Sequence, residues 1–184
     1  MKLDEVVVVD TNVILIANEQ HSDISPEGVV ACIERLQRIR TNGSIAIDSG
    51  YEILKEYGTK AAPFTGNRVG DAFLKWLYQN VGNVERVCHV PINTHAIRGY
   101  EQFPDDPELV NFDREDRKFV AVTVSHPDRP VILQGSDSKW LSWAKHLARH
   151  AVRVEFLCPK DVAKFENRRQ ARQRRPRRIR RKST

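Results

Sequence analysis

The sequence of 184 residues contains no apolar run approaching the roughly 20 residues that a membrane-crossing helix needs. Cysteine is scarce: Cys32, Cys88 and Cys158 are odd in number, far apart and without a C-x-x-C spacing. That argues against a disulfide framework and points to buried, reduced thiols in a cytoplasmic chain. The opening MKLDEVVVVD sets acids ahead of a short apolar segment, unlike a secretory signal peptide. No internal repeat is present, and low complexity is confined to the C-terminal end. The absence that organises the chain is that no acidic residue follows Glu166.

All 24 acidic residues and 20 of the 30 Lys and Arg lie at or before Glu166. The formal charge of +6 therefore divides into a body of about −4 and ten cations beyond it. These are Arg168, Arg169, Arg172, Arg174, Arg175, Arg177, Arg178, Arg180, Arg181 and Lys182. Like charges at this density do not fold on themselves. The expected organisation is a compact domain over residues 1–163 and a disordered basic tail over 164–184. Such a tail suits phosphate contacts with RNA or DNA. Docking on an acidic partner, or a role in solubility or localisation, are its competing uses. Residues 168–182 carry no aromatic side chain, which argues against base stacking by that run.

Within the body, Val6 to Val9 is a β-branched run, as a strand buried on both faces requires. Asn12, ahead of VILIA, suits a helix cap. Ser25-Pro26-Glu27 opens a clearer helix, with Val29, Val30, Ile33, Leu36 and Ile39 at helical spacing and Asn42-Gly43 as its stop. Further strands are expected at 44–47, 84–90, 131–133 and 152–157. Helices are expected at 51–57, 71–80, 115–125 and 138–149, with loops over 61–70 and 93–111. Strands alternating with helices imply a parallel α/β sheet, whose ligands collect at the carboxyl ends of the strands.

Four acids each stand just past an apolar segment: Asp10 after VVVV, Glu56 in ILKEY, Asp116 in FDREDRKF and Asp137 after VILQGS. Carboxylates gathered in one pocket repel unless they are protonated or bridged by a cation. Their convergence would therefore imply a hard divalent ion, Mg²⁺ or Mn²⁺, held by oxygen ligands. Such an ion activates water and neutralises charge on a reacting phosphodiester. Thr11 and Asn12 add a hydroxyl and an amide beside Asp10.

The stations VVVVDTNVI, ILKEY, DREDRKFVAV and SDSKW, taken in order, resemble the PIN domain family of metal-dependent ribonucleases, over residues 6–157. The resemblance implies a three-layer α/β/α fold around a parallel sheet and an endoribonuclease acting on single-stranded or structured RNA. It implies Mg²⁺ or Mn²⁺ at Asp10, Glu56, Asp116 and Asp137, with Thr11, Asn12 and Asp113 in support. Small bacterial members are toxins held by a protein antitoxin, and a homodimer is compatible with the size. The alternative is a non-catalytic nucleic-acid-binding or scaffold protein of the same fold.

Several readings compete at single residues. Glu52 and Asp48 are rivals of Glu56, and Asp113 of Asp116. Asp105 and Asp106 read as solvated loop acids. His146 and His150 have a zinc-compatible spacing but no evident third ligand. Trp140, Trp143, Leu147 and Ala151 mark the buried stripe of their helix, and Lys75 and Lys118 read as solvated, with a phosphate contact as the alternative for Lys118 beside Asp116.

Overall fold

Three consecutive valines without exposure to solvent mark the centre of the protein. In the computed structural model, which describes residues 5–21, 23–61 and 66–173, strand β1 is Val6–Val9. The other strands of its sheet are β2 (Ser44–Asp48), β3 (Val87–Val90), β6 (Val131–Gln134) and β7 (Val154–Phe156). Their spatial order is β3-β2-β1-β6-β7, and every neighbouring pair is parallel. Two short strands, β4 (Thr94–His95) and β5 (Gly99–Tyr100), make a separate antiparallel pair. The protein is thus α/β with a five-stranded parallel sheet.

Helices α1 (Thr11–Ala17) and α2 (Pro26–Asn42) connect β1 to β2, and α3 (Glu52–Lys60) and α4 (Val69–Asn80) connect β2 to β3. α5 (Arg117–Ser125) precedes β6, α6 (Ser138–Arg149) links β6 to β7, and α7 (Pro159–Gln173) follows. Every residue of β2 and β6 is buried, as are Val7, Val8 and Val9. Strands buried on both sides need helices on both faces. That arrangement is compatible with α/β/α layering. α1, α2 and α4 contact one another, while α5 lies against β1, β2 and β6.

Local chemistry accounts for the element ends. Ser25 caps α2 by accepting from the Gly28 N–H at 3.2 Å, with Pro26 in the first turn. α1 differs from expectation: its cap is Asp10, whose Oδ1 accepts the Asn12 N–H at 2.9 Å. Asn12 instead accepts the Gly135 N–H at 3.0 Å, tying α1 to the end of β6. The third strand starts at Val87, since residues 84–86 form a turn. The segment 93–111, expected as a loop, contains the β4–β5 pair and a 3₁₀ turn at Pro107–Leu109. Arg117 organises it by donating to the carbonyls of Val110, Phe112 and Arg98 while lying over the Phe103 ring. Ala151 is exposed, and Val152 takes its expected buried place.

Helix α7 is the largest departure. Residues 164–173, which the charge count assigns to a disordered tail, continue a helix that begins at Pro159. Val162 is buried, and Asp161 accepts from the Ser25 hydroxyl at 2.7 Å, so α7 starts docked on the start of α2. Cys32 and Cys158 meet at this junction with sulfurs 3.7 Å apart, and all three thiols are free. Arg168, Arg169 and Arg172 belong to this helix. Arg174, Arg175, Arg177, Arg178, Arg180, Arg181 and Lys182 lie outside the described residues.

Gly135 must approach α1 closely, because a Cβ there would lie 2.2 Å from Asn12 Oδ1 and 2.6 Å from Ile16 Cδ1. Gly135→Ala is expected to lower stability by roughly 1–3 kcal/mol, the usual cost of overpacking. Chemical denaturation checks it, and an unchanged midpoint would show that α1 yields freely.

Candidate functional site

The chain leaves β1 toward β2 and β3, then returns to β6 and β7 on the other side, so the sheet reverses its winding between β1 and β6. A crevice at the carboxyl ends of such adjacent strands is where open α/β sheets take ligands. Asp10 follows β1 directly, with its N–H on the Leu133 carbonyl of β6 at 2.9 Å. Asp137 stands three residues beyond β6 as the cap of α6, accepting the Lys139 N–H at 2.9 Å. Asp116 stands at the N-terminal boundary of α5 without capping it through its side chain, and Glu56 projects from the middle of α3.

The carboxylates share one electrostatic neighbourhood. Asp10 is 6 % exposed. Burial above all, and then the charges of Asp116, Glu56 and Asp137, push its pKa up to about 8, against the opposing Asn12 hydrogen bond. Asp116 is pushed to about 6 by burial, Asp113 and Asp137, while the Trp140 indole N–H, 3.1 Å from Oδ2, opposes the shift. Glu56 goes the other way. Burial raises it, but hydrogen bonds from Lys118, Thr11 and Lys60 outweigh that and hold its carboxyl below the usual range. Thr11 donates to Glu56 Oε1 at 2.6 Å and Lys60 at 3.0 Å, and Lys118 is ion-paired with Oε2.

The rival acids take other work. Asp48 is buried and caps α3, accepting the N–H groups of Glu52 and Ile53 at 2.8 Å each. Glu52 is exposed. Asp113 is exposed, accepts the Glu115 N–H at 3.1 Å and acts on Asp116 as a like charge. Asp106 is not a solvated loop acid, since it pairs with His150 at 2.8 Å. His146 keeps a buried Nδ1 without a hydrogen-bond partner and touches Trp143 edge-on.

Sequence reasoning missed three side chains. Lys118, expected on a solvated face, is 6 % exposed and pinned among Glu56, the Glu115 carbonyl and the Phe119 ring. Tyr57 is fully buried beneath Asp10, its hydroxyl donating to the Val9 carbonyl. Trp140, read as core, is core and also holds Asp116. The i, i+2 spacing of Asp116 and Lys118 held a hint of the first. Nothing in the sequence marked the other two.

The donor set is all oxygen, and burial disfavours the ionised forms of Asp10 and Asp116, which neither a lysine nor an arginine pairs with among the described residues; that suits a hard cation. Glu56 suits one less well, being already matched by two lysines. Among the described residues, no three Asp, Glu, His or Cys side chains stand close enough together to grip one ion. Comparison with known proteins gives no significant match to any family model, curated protein or solved structure.

A stability test follows from Asp10. Its folded pKa of about 8 exceeds the ordinary 3.8, so the folded state binds the extra proton between those values. The stabilisation is complete below the lower pKa and is lost as pH rises through the higher one. Asp10→Asn keeps a capping oxygen but removes the charge. In metal-free buffer the variant is expected to gain on wild type as pH rises from 5 to 8, by at most about 1.4 kcal/mol per pH unit. Melting curves at several pH values check this, and parallel curves for the two proteins would contradict it.

Proposed function

We propose that the chain is a divalent-metal-dependent endoribonuclease of PIN type, hydrolysing RNA phosphodiester bonds at the cluster of Asp10, Glu56, Asp116 and Asp137. The observation that carries this reading is Asp10: a carboxylate at the reversal point of a parallel sheet whose pKa is raised first by burial and then by the charges of Asp116, Glu56 and Asp137. Groups so perturbed in a crevice mark functional sites more often than structural ones.

In this reading Asp10 and Asp116 are the main holders of Mg²⁺ or Mn²⁺, with Asp137 at the rim. Held there, such an ion would supply activation of water and would offset charge on the phosphoryl group. The chain's own residues prepare that chemistry. Trp140 fixes the Asp116 carboxylate, Tyr57 braces the end of β1, and Thr11 and Lys60 orient Glu56. Lys118 places a buried cation among the acids, where it lessens the repulsion that a phosphate meets. An antitoxin-like inhibitor as partner belongs to the same proposal.

One observation favours a second reading. Lys118 already neutralises Glu56, and among the described residues no three ligands converge tightly. A non-catalytic nucleic-acid-binding protein that keeps the fold and substitutes a lysine for the ion would look the same.

A cleavage assay separates the two. With Mn²⁺ and single-stranded RNA, wild type is expected to cut, and Asp10→Asn or Asp116→Asn to lose roughly two orders of magnitude or more in rate. Millimolar Mn²⁺ is also expected to raise the melting temperature of wild type more than that of Asp10→Asn. No cleavage and no metal-dependent shift in wild type would decide for the second reading.

A further inference from the structure

Beside the acidic cluster lies a cavity of about 610 Å³ with two unlike walls. Asn12, Ser136 and Asp137 form one wall, at the rim of the cluster. Phe165, Arg168, Arg169 and Arg172 of α7 form the other, with His21 and Asp23 also lining the space. The α7 residues fall at i, i+3, i+4 and i+7, one face of a helix. The basic segment is therefore not only a loose tether at this point: three of its arginines line the same cavity as Asp137.

Arg168, which lies 5.9 Å from the centre of the Phe165 ring and would leave it for a phosphate, and the exposed Arg172 are available for exchange. Arg168 meets Asp23 at 3.7 Å, with both side chains more than half exposed. Arg169 is held by Glu166 at 2.9 Å within the same helix. Arg172 has no ion pair among the described residues. Exposed ion pairs contribute little, so a phosphate displaces Asp23 at small cost. Phe165 adds an aromatic ring at the head of this face, half-buried, with the exposed His21 ring 5.9 Å away. A groove that combines cations tracking a backbone with rings for stacking is the arrangement that recognises single strands without strong sequence preference.

We infer that this cavity binds a single strand of RNA beside the acidic cluster, with phosphates on Arg168 and Arg172 and an unpaired base on the Phe165–His21 rings. The inference rests on the ribonuclease reading for what the strand is delivered to, but not for the binding itself. A duplex is excluded from the stacking contact because its bases are already stacked and paired.

The test uses the full chain in EDTA, so that binding is read without cleavage. Fluorescence anisotropy of a labelled oligouridylate is followed over a range of salt. Arg168→Gln/Arg172→Gln is expected to bind about tenfold more weakly at low salt. Its slope of log affinity against log salt is expected to flatten by about 1.4, because each single-strand phosphate left without its arginine removes about 0.7. Phe165→Leu is expected to lose roughly tenfold with its slope unchanged, the mark of stacking rather than charge. The same strand paired with its complement should be insensitive to Phe165→Leu. An oligodeoxyuridylate showing the same losses supports the groove and shows that it makes no use of the 2′-hydroxyl. Unchanged affinity and slope in the double variant, with an unchanged melting curve, would overturn the inference. So would duplex binding as tight as that of the single strand. Wild type that binds in the expected pattern but does not cut RNA with Mn²⁺ leaves the groove and removes the ribonuclease. Wild type that cuts while both variants bind normally does the reverse.

Discussion

A carboxylate at the end of the central strand of a parallel sheet is desolvated by the same packing that holds the sheet together. Val8 and Val9 have no exposure, and Asp10 is the next residue. Its N–H is committed to β6 and its Oδ1 to the first turn of α1, so it cannot turn outward to water. Glu56, Asp116 and Asp137 then add like charge that a low-dielectric pocket screens poorly. The fold meets this constraint in parts. Lys118 and Lys60 match Glu56, and Trp140 gives Asp116 a donor. The charge left on Asp10 must be met by a proton or by a cation from outside, which sets this sheet edge apart from one whose acids are all paired.

The elements that bury one face or cap cleanly were legible in the residues. VVVVD announced a buried strand ending in an acid, and Ser25-Pro26 announced a capped helix. The register that places Asp10 beside Asp137 follows from strand order, which no local pattern encodes. α7 was obscured by its own charge. Reading the end of the chain from the cations of 168–182 and cutting it at residue 164 separated the basic run from Asp161 and Val162 and gave no weight to Phe165; these give the helix something to dock with, and docking overrides like-charge repulsion along its exposed face. Lys118 was misplaced for a related reason. Its charge suggests solvent, but a lysine tolerates burial when a carboxylate waits at the end of its stem, and Glu56 comes from an element 62 residues earlier.

The dock between α7 and α2 links two parts of the chain that the sequence keeps far apart. Asp161 receives both the N–H and the hydroxyl of Ser25, the residue that caps α2. Gly28 lies so close beneath that a Cβ would meet Asp161 Oδ2 at 2.8 Å and Cys158 Sγ at 3.0 Å. One buried carboxylate of α7 thus holds Ser25, whose own hydroxyl meets an N–H of the first turn of α2, where helix donors are most in need of partners. Because β7 leads straight into α7, this junction also sets where the basic face of α7 emerges relative to the end of β6.

That placement matters because an acidic pocket alone repels any polyanion. Neutralising the acids directly would remove the repulsion, but it would also remove the charge that a cation requires. The structure separates the two demands in space. Arg168 and Arg169 of α7 pair with Asp23 and Glu166, and among the described residues no arginine of α7 pairs with Asp10, Asp116 or Asp137. Their positive potential is therefore expressed across the neighbouring cavity while the pocket keeps its own negative charge. Lys118 is the exception, and it spends its charge on Glu56, the one acid of the four that Thr11 and Lys60 also hold. Positive and negative fields side by side, each with its own counter-charges, are what the proposed function would draw on, a phosphate meeting one and a metal ion the other.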